Sequence, residues 1–236
     1  MSIKIGQASL GETGGRNQQP GNQNGRELNI SNWYNGRWLG VLRYKSRKKA
    51  ERAAQTCEAA IKNPNIGYDM SDRNTAYEAA RAVGWDVSKI TKPVETDCSG
   101  LMTLCAVAAG CASVEALYRR QGNSCTTYCM LHDWPATGDF VLLTDSKYLT
   151  TDANLLRGDV LVSSGHTVMA LEDGKNAEEE TEMVEKSKII VDGKEVAVER
   201  ILKDGTNYVK VRDLAAALDL EVSNKGNIAV LKHKEK

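Results

Sequence analysis

The spacing of apolar side chains predicts three helices in the first half of the chain. Between Ser46, a suitable N-cap residue, and Asn63, apolar positions recur every three or four residues, as on one face of an amphipathic helix. A second helix is expected from about Asp72 to near Gly84, and a third at the apolar run that starts at Leu101. The pattern therefore predicts three helices before any long strand.

Alternating and β-branched segments predict strands on either side of these helices. Residues 3–9 alternate between apolar and polar side chains, and residues 11–25 are rich in glycine and amide side chains. Later, the short apolar run at 160–162 and the β-branched run at 167–171 flank the turn Ser163-Ser164-Gly165. We expect a short N-terminal strand, a long exposed loop and a hairpin.

A change in composition divides the chain into two domains. Residues 176–187 are rich in glutamate and too polar to bury, which is typical of a linker. After them, Asp192-Gly193-Lys194 separates two β-branched segments, as in a hairpin. We predict an α+β domain over residues 1–175, an acidic linker over 176–187 and a small mixed α/β domain over 188–236.

The net charge argues against two classes of partner. The 236 residues include 31 basic and 31 acidic side chains, so electrostatics favours neither nucleic acid nor an anionic membrane. The N-terminus lacks a basic segment followed by an apolar stretch, and no later window approaches the length of a membrane span. We expect a protein that is made soluble in the cytoplasm, where its six cysteines stay free thiols.

Cys98 is the strongest candidate nucleophile, because it stands where the third helix begins. Backbone N–H groups are unpaired there and the helix dipole is positive, so we expect a lowered pKa for this thiol. The chain has only three histidines to serve as its base. His233 lies in a charged tail and His132 in an irregular region, whereas His166 follows a glycine turn at the start of a strand. His166 is therefore the candidate general base.

Three short segments carry a family resemblance. They are Asp97-Cys98-Ser99-Gly100-Leu101, Arg157-Gly158-Asp159-Val160 and Gly165-His166-Thr167-Val168. In order and spacing they resemble the NlpC-type cell-wall peptidases, papain-like cysteine hydrolases related to the CHAP amidases. The resemblance implies that Cys98 attacks an amide carbonyl, that His166 takes its proton, and that backbone N–H groups at the helix start bind the oxyanion. It also places Asp97, Ser99 and Gly165 beside the substrate.

The third catalytic residue departs from the family pattern. The family supplies a polar residue on the strand after the one that bears the histidine, but here that region becomes rich in glutamate. The N-terminal segment Ile5-Gly6-Gln7-Ala8-Ser9 resembles the missing strand moved to the front of the chain. We therefore expect a permuted NlpC-type arrangement in which Gln7 orients His166, with Glu172 and Asp173 as the alternatives.

Tyr68 is the closest match to a tyrosine that commonly precedes the nucleophile in this family. Its hydroxyl could help to bind the oxyanion or the stem peptide. The alternative is a half-buried tyrosine whose role is packing.

These features together predict an endolysin that hydrolyses an amide bond of the bacterial stem peptide through a thioester, without a cofactor. We expect it to reach the peptidoglycan after release from the cytoplasm. An N-acetylmuramoyl-L-alanine amidase is the alternative within the same class. A non-catalytic wall-binding protein on a decayed hydrolase scaffold is the alternative outside it.

Two further features have weaker signals. The segment from about Lys188 resembles the copper amine oxidase N-terminal-like domain, but it has one histidine and no cysteine, so we expect no copper there. We read it as a module for wall targeting or self-association, with an inert packing domain as the alternative. Four residues also offer a possible zinc site, although their spacing fits the usual knuckles poorly. They are Cys111, Cys125, Cys129 and His132.

Overall fold

A computed structural model describes residues 2–14, 17–177, 185–203, 206–225 and 228–234. The chain divides into two compact units, Met1–Ala177 and Glu178–Lys236. Strands and helices are both present in each unit, in agreement with the predicted α+β class. The acidic stretch 178–184 lies outside the described residues, and the strand that follows begins at Glu185, inside the expected linker.

A six-stranded antiparallel sheet forms the centre of the first unit. Its strands lie in the order β2-β1-β8-β7-β3-β6. They are β1 (Lys4–Ala8), β2 (Leu28–Asn32), β3 (Gly40–Tyr44), β6 (Phe140–Leu143), β7 (Val160–Ser163) and β8 (His166–Ala170). The N-terminal strand thus pairs directly with the strand that carries His166. Two shorter strands, β4 (Ile66–Tyr68) and β5 (Val94–Thr96), pair in parallel beside it.

Six α-helices accompany these strands among the described residues of the first unit. They are α1 (Arg47–Lys62), α2 (Thr75–Ala82), α3 (Cys98–Ala108), α4 (Ala112–Gln121), α5 (Thr127–Asp133) and α6 (Ser146–Leu149). Ser46 caps α1 by accepting a hydrogen bond from the N–H of Lys49, as its sequence position predicts. Every residue of α3 is buried, because this helix is apolar on all sides. It packs against α1 and β8, and its first residue, Cys98, lies near the end of the sheet where β8 begins with His166.

Side chains on alternate positions of the central strands enter two separate cores. On β7, Val160 and Val162 join the larger core beneath the helices, and Leu161 joins the smaller one on the opposite face. This alternation follows from the two-residue period of a strand. The sheet is therefore packed on both faces. A buried ion pair between Arg43 and Asp159, with an N–O distance of 2.7 Å, also links β3 to the turn before β7.

Two expectations about the first unit were wrong in detail, and two short strands were not predicted. The second helix begins at Thr75 after Asn74 rather than at about Asp72, and the five-residue strands β2 and β3 precede the first helix. The loop over residues 11–25 is not simply exposed, because Gln18 and Gly21 are buried. Their backbone N–H groups donate to the buried carboxyl groups of Asp69 and Glu95, which hold the loop against the unit.

The expectation of six free thiols was also wrong. Cys125 and Cys129 form a disulfide, since they stand four residues apart around the start of α5 with their Cα atoms 5.3 Å apart. This pairing leaves four free cysteines, all of them buried: Cys57, Cys98, Cys105 and Cys111.

The second unit contains five strands and one helix among its described residues. An antiparallel sheet has the order β11-β10-β9, formed by β9 (Glu185–Val191), β10 (Lys194–Lys203) and β11 (Thr206–Val209). Helix α7 (Val211–Ala217) precedes the hairpin β12 (Leu220–Lys225) and β13 (Ile228–His233). Asp192 and Gly193 turn the chain between β9 and β10 with positive φ angles, as their sequence predicts. In the described parts of both units, no helix has the length and apolar character needed to cross a membrane.

Candidate active site

Cys98 is the first residue of α3, and its neighbours lock the start of that helix. The Asp97 carboxylate caps the helix by accepting a hydrogen bond from the N–H of Gly100 at 2.6 Å. Arg73 holds this cap, with its Nε 2.8 Å from one carboxylate oxygen of Asp97 and its Nη2 2.7 Å from the Ser99 hydroxyl. Asp97 and Ser99, which the resemblance places beside the substrate, thus have their side chains engaged with Arg73. In this arrangement they position Cys98.

The thiol of Cys98 lies against the turn that carries His166. Its sulfur is 3.9 Å from the carbonyl oxygen of Gly165, and the residue is only 6 % exposed. Gly165 has a φ of +88°, which a residue without Cβ adopts readily, and its N–H donates to the Thr127 hydroxyl at the start of α5. The turn is therefore held from both α3 and α5.

Gln7 contacts the imidazole of His166 from the neighbouring strand. Its Oε1 lies 3.0 Å from the Nε2 of His166, although 158 residues separate the two along the chain. The pairing of β1 with β8 produces this contact. Glu172 and Asp173, the alternatives to Gln7, are engaged elsewhere: Glu172 accepts from the N–H of Lys4, and Asp173 from that of Arg157.

Three residues of the site were missed by sequence reasoning. The amide nitrogen of Gln7 donates to the Oδ1 of Asn29 at 3.1 Å and to the Ser31 hydroxyl at 3.2 Å, and the Tyr34 hydroxyl donates to the Oε1 of Gln7 at 3.2 Å. Asn29 is the cross-strand partner of Gln7 in the β1–β2 register. The alternation of polar and apolar residues from Leu28 to Asn32 was the signal that could have identified this strand.

Burial sets the ionisation of the Cys98 thiol and the His166 imidazole. It raises the pKa of the Cys98 thiol to about 11, and the negative charge of Asp97 is the second cause. The N–H groups of Thr167 and Ser99 and the charge of Arg73 lower this pKa by smaller amounts. The expectation of a lowered pKa was therefore wrong, because loss of solvation outweighs the helix start. Burial also lowers the pKa of His166. Both groups are neutral in the resting protein near pH 7.

Two tyrosines share the surroundings of the thiol. Burial raises the pKa of Tyr68 to about 12, and the second cause is the charge that Cys98 would carry as a thiolate. The same two causes, in the same order, raise the pKa of Tyr34. Tyr68 lies at the end of β4 and is almost wholly buried, whereas Tyr34 is partly exposed.

The possible zinc ligands, which include His132, do not come together as a metal site in the described residues. His132 is exposed and stacks on Tyr128 with ring centroids 4.0 Å apart. The disulfide removes Cys125 and Cys129 as thiolate ligands, and the described residues contain no group of three or more side chains arranged to hold a metal ion. The zinc alternative therefore loses its main ligands.

Residues 5–177 match the family model described as an endolysin-like domain. The match covers nearly three quarters of the chain and includes Gln7, Cys98 and His166, so the protein belongs to the endolysin-like domain family. Membership indicates a phage-type cell-wall hydrolase with peptidoglycan as its substrate. No curated protein and no solved structure matched the chain.

Proposed function

We propose that the protein is a cysteine-type peptidoglycan hydrolase that cleaves an amide bond of the stem peptide. Cys98 is the nucleophile, His166 the general base and Gln7 the residue that orients the imidazole. The observation that carries the proposal is the double contact of the His166 turn: Gln7 holds the ring, and the Cys98 sulfur lies against the adjacent Gly165 carbonyl. The family match to an endolysin-like domain supports the substrate.

Both reactive groups begin neutral in this mechanism. The imidazole donates its Nε2–H to Gln7, so its Nδ1 is left to accept the proton of the Cys98 thiol as the sulfur attacks the amide carbon. The tetrahedral intermediate collapses when the imidazolium returns that proton to the leaving amine, which breaks the C–N bond and leaves a thioester. Water, deprotonated by His166, then hydrolyses the thioester to a carboxylic acid and restores the thiol.

The oxyanion of each tetrahedral intermediate requires donors near Cys98. The N–H of Cys98 belongs to the first turn of α3, where the helix dipole favours negative charge. The Tyr68 hydroxyl is the second candidate, because the resembled family has a tyrosine ahead of the nucleophile and the raised pKa of Tyr68 keeps its proton in place. These two donors would replace water around the developing charge.

We further propose that the fold is a permuted NlpC-type, papain-like arrangement. In the resembled family the orienting residue follows the strand of the base, whereas here β1, from the opposite end of the unit, pairs with β8. Pairing of Ile5 with Ala170 and Gly6 with Met169 puts Gln7 opposite Val168, so that Gln7 and His166 lie on the same face of the sheet. The second unit then serves as a copper amine oxidase N-terminal-like accessory domain for wall binding or self-association.

Turbidity clearing of purified cell walls tests the proposal. Cys98→Ala should abolish clearing and leave sedimentation with the walls unchanged. Cys105→Ala is the matched control, since it removes a second buried thiol two turns further along α3, and it should retain clearing. Clearing by Cys98→Ala at the rate of the parent protein would show that the nucleophile is misassigned. Failure of the parent itself to clear walls that it binds would favour the non-catalytic alternative.

The products identify the bond that is cut. Mass analysis of digested peptidoglycan reports new amine termini within the stem peptide for an endopeptidase. An N-acetylmuramoyl-L-alanine amidase would instead release intact stem peptides with a free N-terminal alanine.

A further inference from the structure

The side-chain amide of Gln7 can face His166 in two ways, and only one of them suits catalysis. With Oε1 toward the ring, His166 keeps its proton on Nε2 and has a free lone pair on Nδ1. With the amide nitrogen toward the ring, Nε2 must accept, so the proton moves to Nδ1 and the imidazole cannot take a proton from the thiol. Something must therefore select the orientation of Gln7.

We propose that Asn29 is a positioning residue that fixes the tautomer of His166 through Gln7. The inference rests on the proposed role of His166 as the general base. Asn29 occupies the position on β2 directly opposite Gln7 on β1. It touches neither the thiol nor the imidazole in any contact that the structure describes, so its effect passes through the amide of Gln7.

The orientation originates at a backbone carbonyl. The Nδ2 of Asn29 donates to the carbonyl oxygen of Arg26 at 2.8 Å and to the Ser9 hydroxyl at 3.0 Å. Because a carbonyl oxygen can only accept, the amide of Asn29 has one favourable orientation, in which its Oδ1 faces Gln7. That oxygen accepts from the Nε2 of Gln7 at 3.1 Å. The Oε1 of Gln7 is then the atom left to face His166, at 3.0 Å.

The hydroxyl groups of Ser31 and Tyr34, which also bond the side-chain amide of Gln7, cannot select its orientation. Ser31 accepts from the amide nitrogen of Gln7, and Tyr34 donates to its oxygen. A hydroxyl can rotate to donate or to accept, so each would adapt if the amide turned over. Asn29 is different because its own amide is anchored on Arg26. The series of hydrogen bonds from Arg26 through Asn29 and Gln7 to His166 therefore has one favourable donor-to-acceptor direction.

Nitrogen-15 NMR of the full-length protein, labelled at histidine, tests this inference without relying on activity. The spectra of neutral imidazoles distinguish a protonated from an unprotonated ring nitrogen, and His166→Ala identifies the resonances among the three histidines. The parent protein should show His166 protonated on Nε2. Asn29→Leu removes the acceptor and should give a mixture of tautomers or protonation on Nδ1.

A matched variant isolates the contribution of Asn29. Ser31→Ala removes the other contact of the Gln7 nitrogen and should keep the Nε2–H tautomer. If Asn29→Leu does not fold, as judged by circular dichroism, Asn29→Ala removes the same acceptor with a smaller side chain. An unchanged tautomer in the folded variant that lacks the acceptor, or an equal change in Ser31→Ala, would overturn the inference.

Kinetics provide the second readout. Asn29→Leu should lower kcat by on the order of 10- to 100-fold with little change in KM, because substrate contacts are retained while the base is misoriented. Ser31→Ala should lower kcat by less than about threefold, since the anchored acceptor remains. A parent protein without hydrolytic activity would refute the proposed function, whereas the tautomer measurement would still decide the role of Asn29.

Discussion

The ionisation of Cys98 leads to a prediction that separates this site from one with a preformed thiolate–imidazolium pair. The perturbation is pH, and the measured quantity is the rate at which iodoacetamide alkylates the thiol. Burial raises the pKa of Cys98 to about 11. Because the thiolate is the species that reacts, alkylation should follow the thiolate fraction.

The magnitude follows from that pKa of about 11. At pH 7 the thiolate fraction is on the order of one in 10,000, and it rises about tenfold for each pH unit until it approaches the pKa. Alkylation should therefore accelerate about 1000-fold between pH 7 and pH 10. A thiolate–imidazolium pair would instead react at a nearly constant rate from about pH 5 to pH 8, because its thiolate is already formed.

The assay is intact-protein mass spectrometry of timed alkylation, followed by peptide mapping, without a reducing agent. Cys57, Cys105 and Cys111 are fully buried and serve as unreactive internal references, and the disulfide protects Cys125 and Cys129. A plateau in the rate between pH 5 and pH 8 would refute the argument that burial outweighs the helix start.

A variant at Asp97 checks the second cause of the raised pKa. Asp97→Asn retains an acceptor for the N–H of Gly100 but removes the negative charge beside the thiol. It also leaves the positive charge of Arg73 without its partner. Both changes favour the thiolate, so the alkylation profile should move to lower pH. A shift to higher pH would contradict this account.

Three further predictions concern stability, measured by urea unfolding. Asp159→Ala should cost about 3–5 kcal/mol, since it removes the carboxylate that balances the charge of the buried Arg43 guanidinium; Arg43→Ala should cost a similar amount. The folded-state pKa of Glu95 is raised to about 8 from 4.5, chiefly by burial, so the native state binds the extra proton between these values. The free energy of unfolding should therefore fall as pH rises through that window, by up to about 1.4 kcal/mol per pH unit. Glu95→Gln should flatten this dependence on pH, and equal slopes in the parent and the variant would contradict the argument. Gly158→Ala should cost at least about 2 kcal/mol, because φ is +93° and the new Cβ would lie 2.7 Å from the carbonyl oxygen of Ala50. Gly165→Ala, with φ of +88° and open space, should cost only about 1 kcal/mol.

The predicted elements that appear in the structure are those with strong local patterns. The helix capped by Ser46 and the hairpin that begins at Val160 depend on short-range spacing and on turn residues, which a sequence displays directly. Strand β2 was not predicted, although its residues alternate between apolar and polar side chains. Strand β3 was not predicted because it is buried throughout and shows no such alternation. Its identity comes from pairing with β6 and β7, which are distant in the chain, and tertiary pairing of this kind leaves little local signal.

The candidate site likewise contains some residues that the sequence predicts and others that only the structure shows. The places of Cys98 at a helix start and of His166 after a glycine turn single them out in the sequence, which also predicts that Gln7 contacts His166; the two side chains are 3.0 Å apart. Asn29, Ser31 and Tyr34 were not foreseen, because nothing local distinguishes an edge-strand amide that orients a neighbour from one that faces water. Their roles depend on the register of β2 against β1.

The sequence by itself determined where the thiol and the imidazole stand on their secondary-structure elements, because caps, turns and apolar periodicity act over a few residues. Only the tertiary structure decided how these groups ionise and which way their partners face. The expected pKa of Cys98 had the wrong direction because a helix start stabilises a thiolate locally, whereas the packing of α3 inside the unit removes the water that would solvate it. Solvation and hydrogen-bond direction depend on everything that surrounds a group, and chain neighbours supply only part of those surroundings.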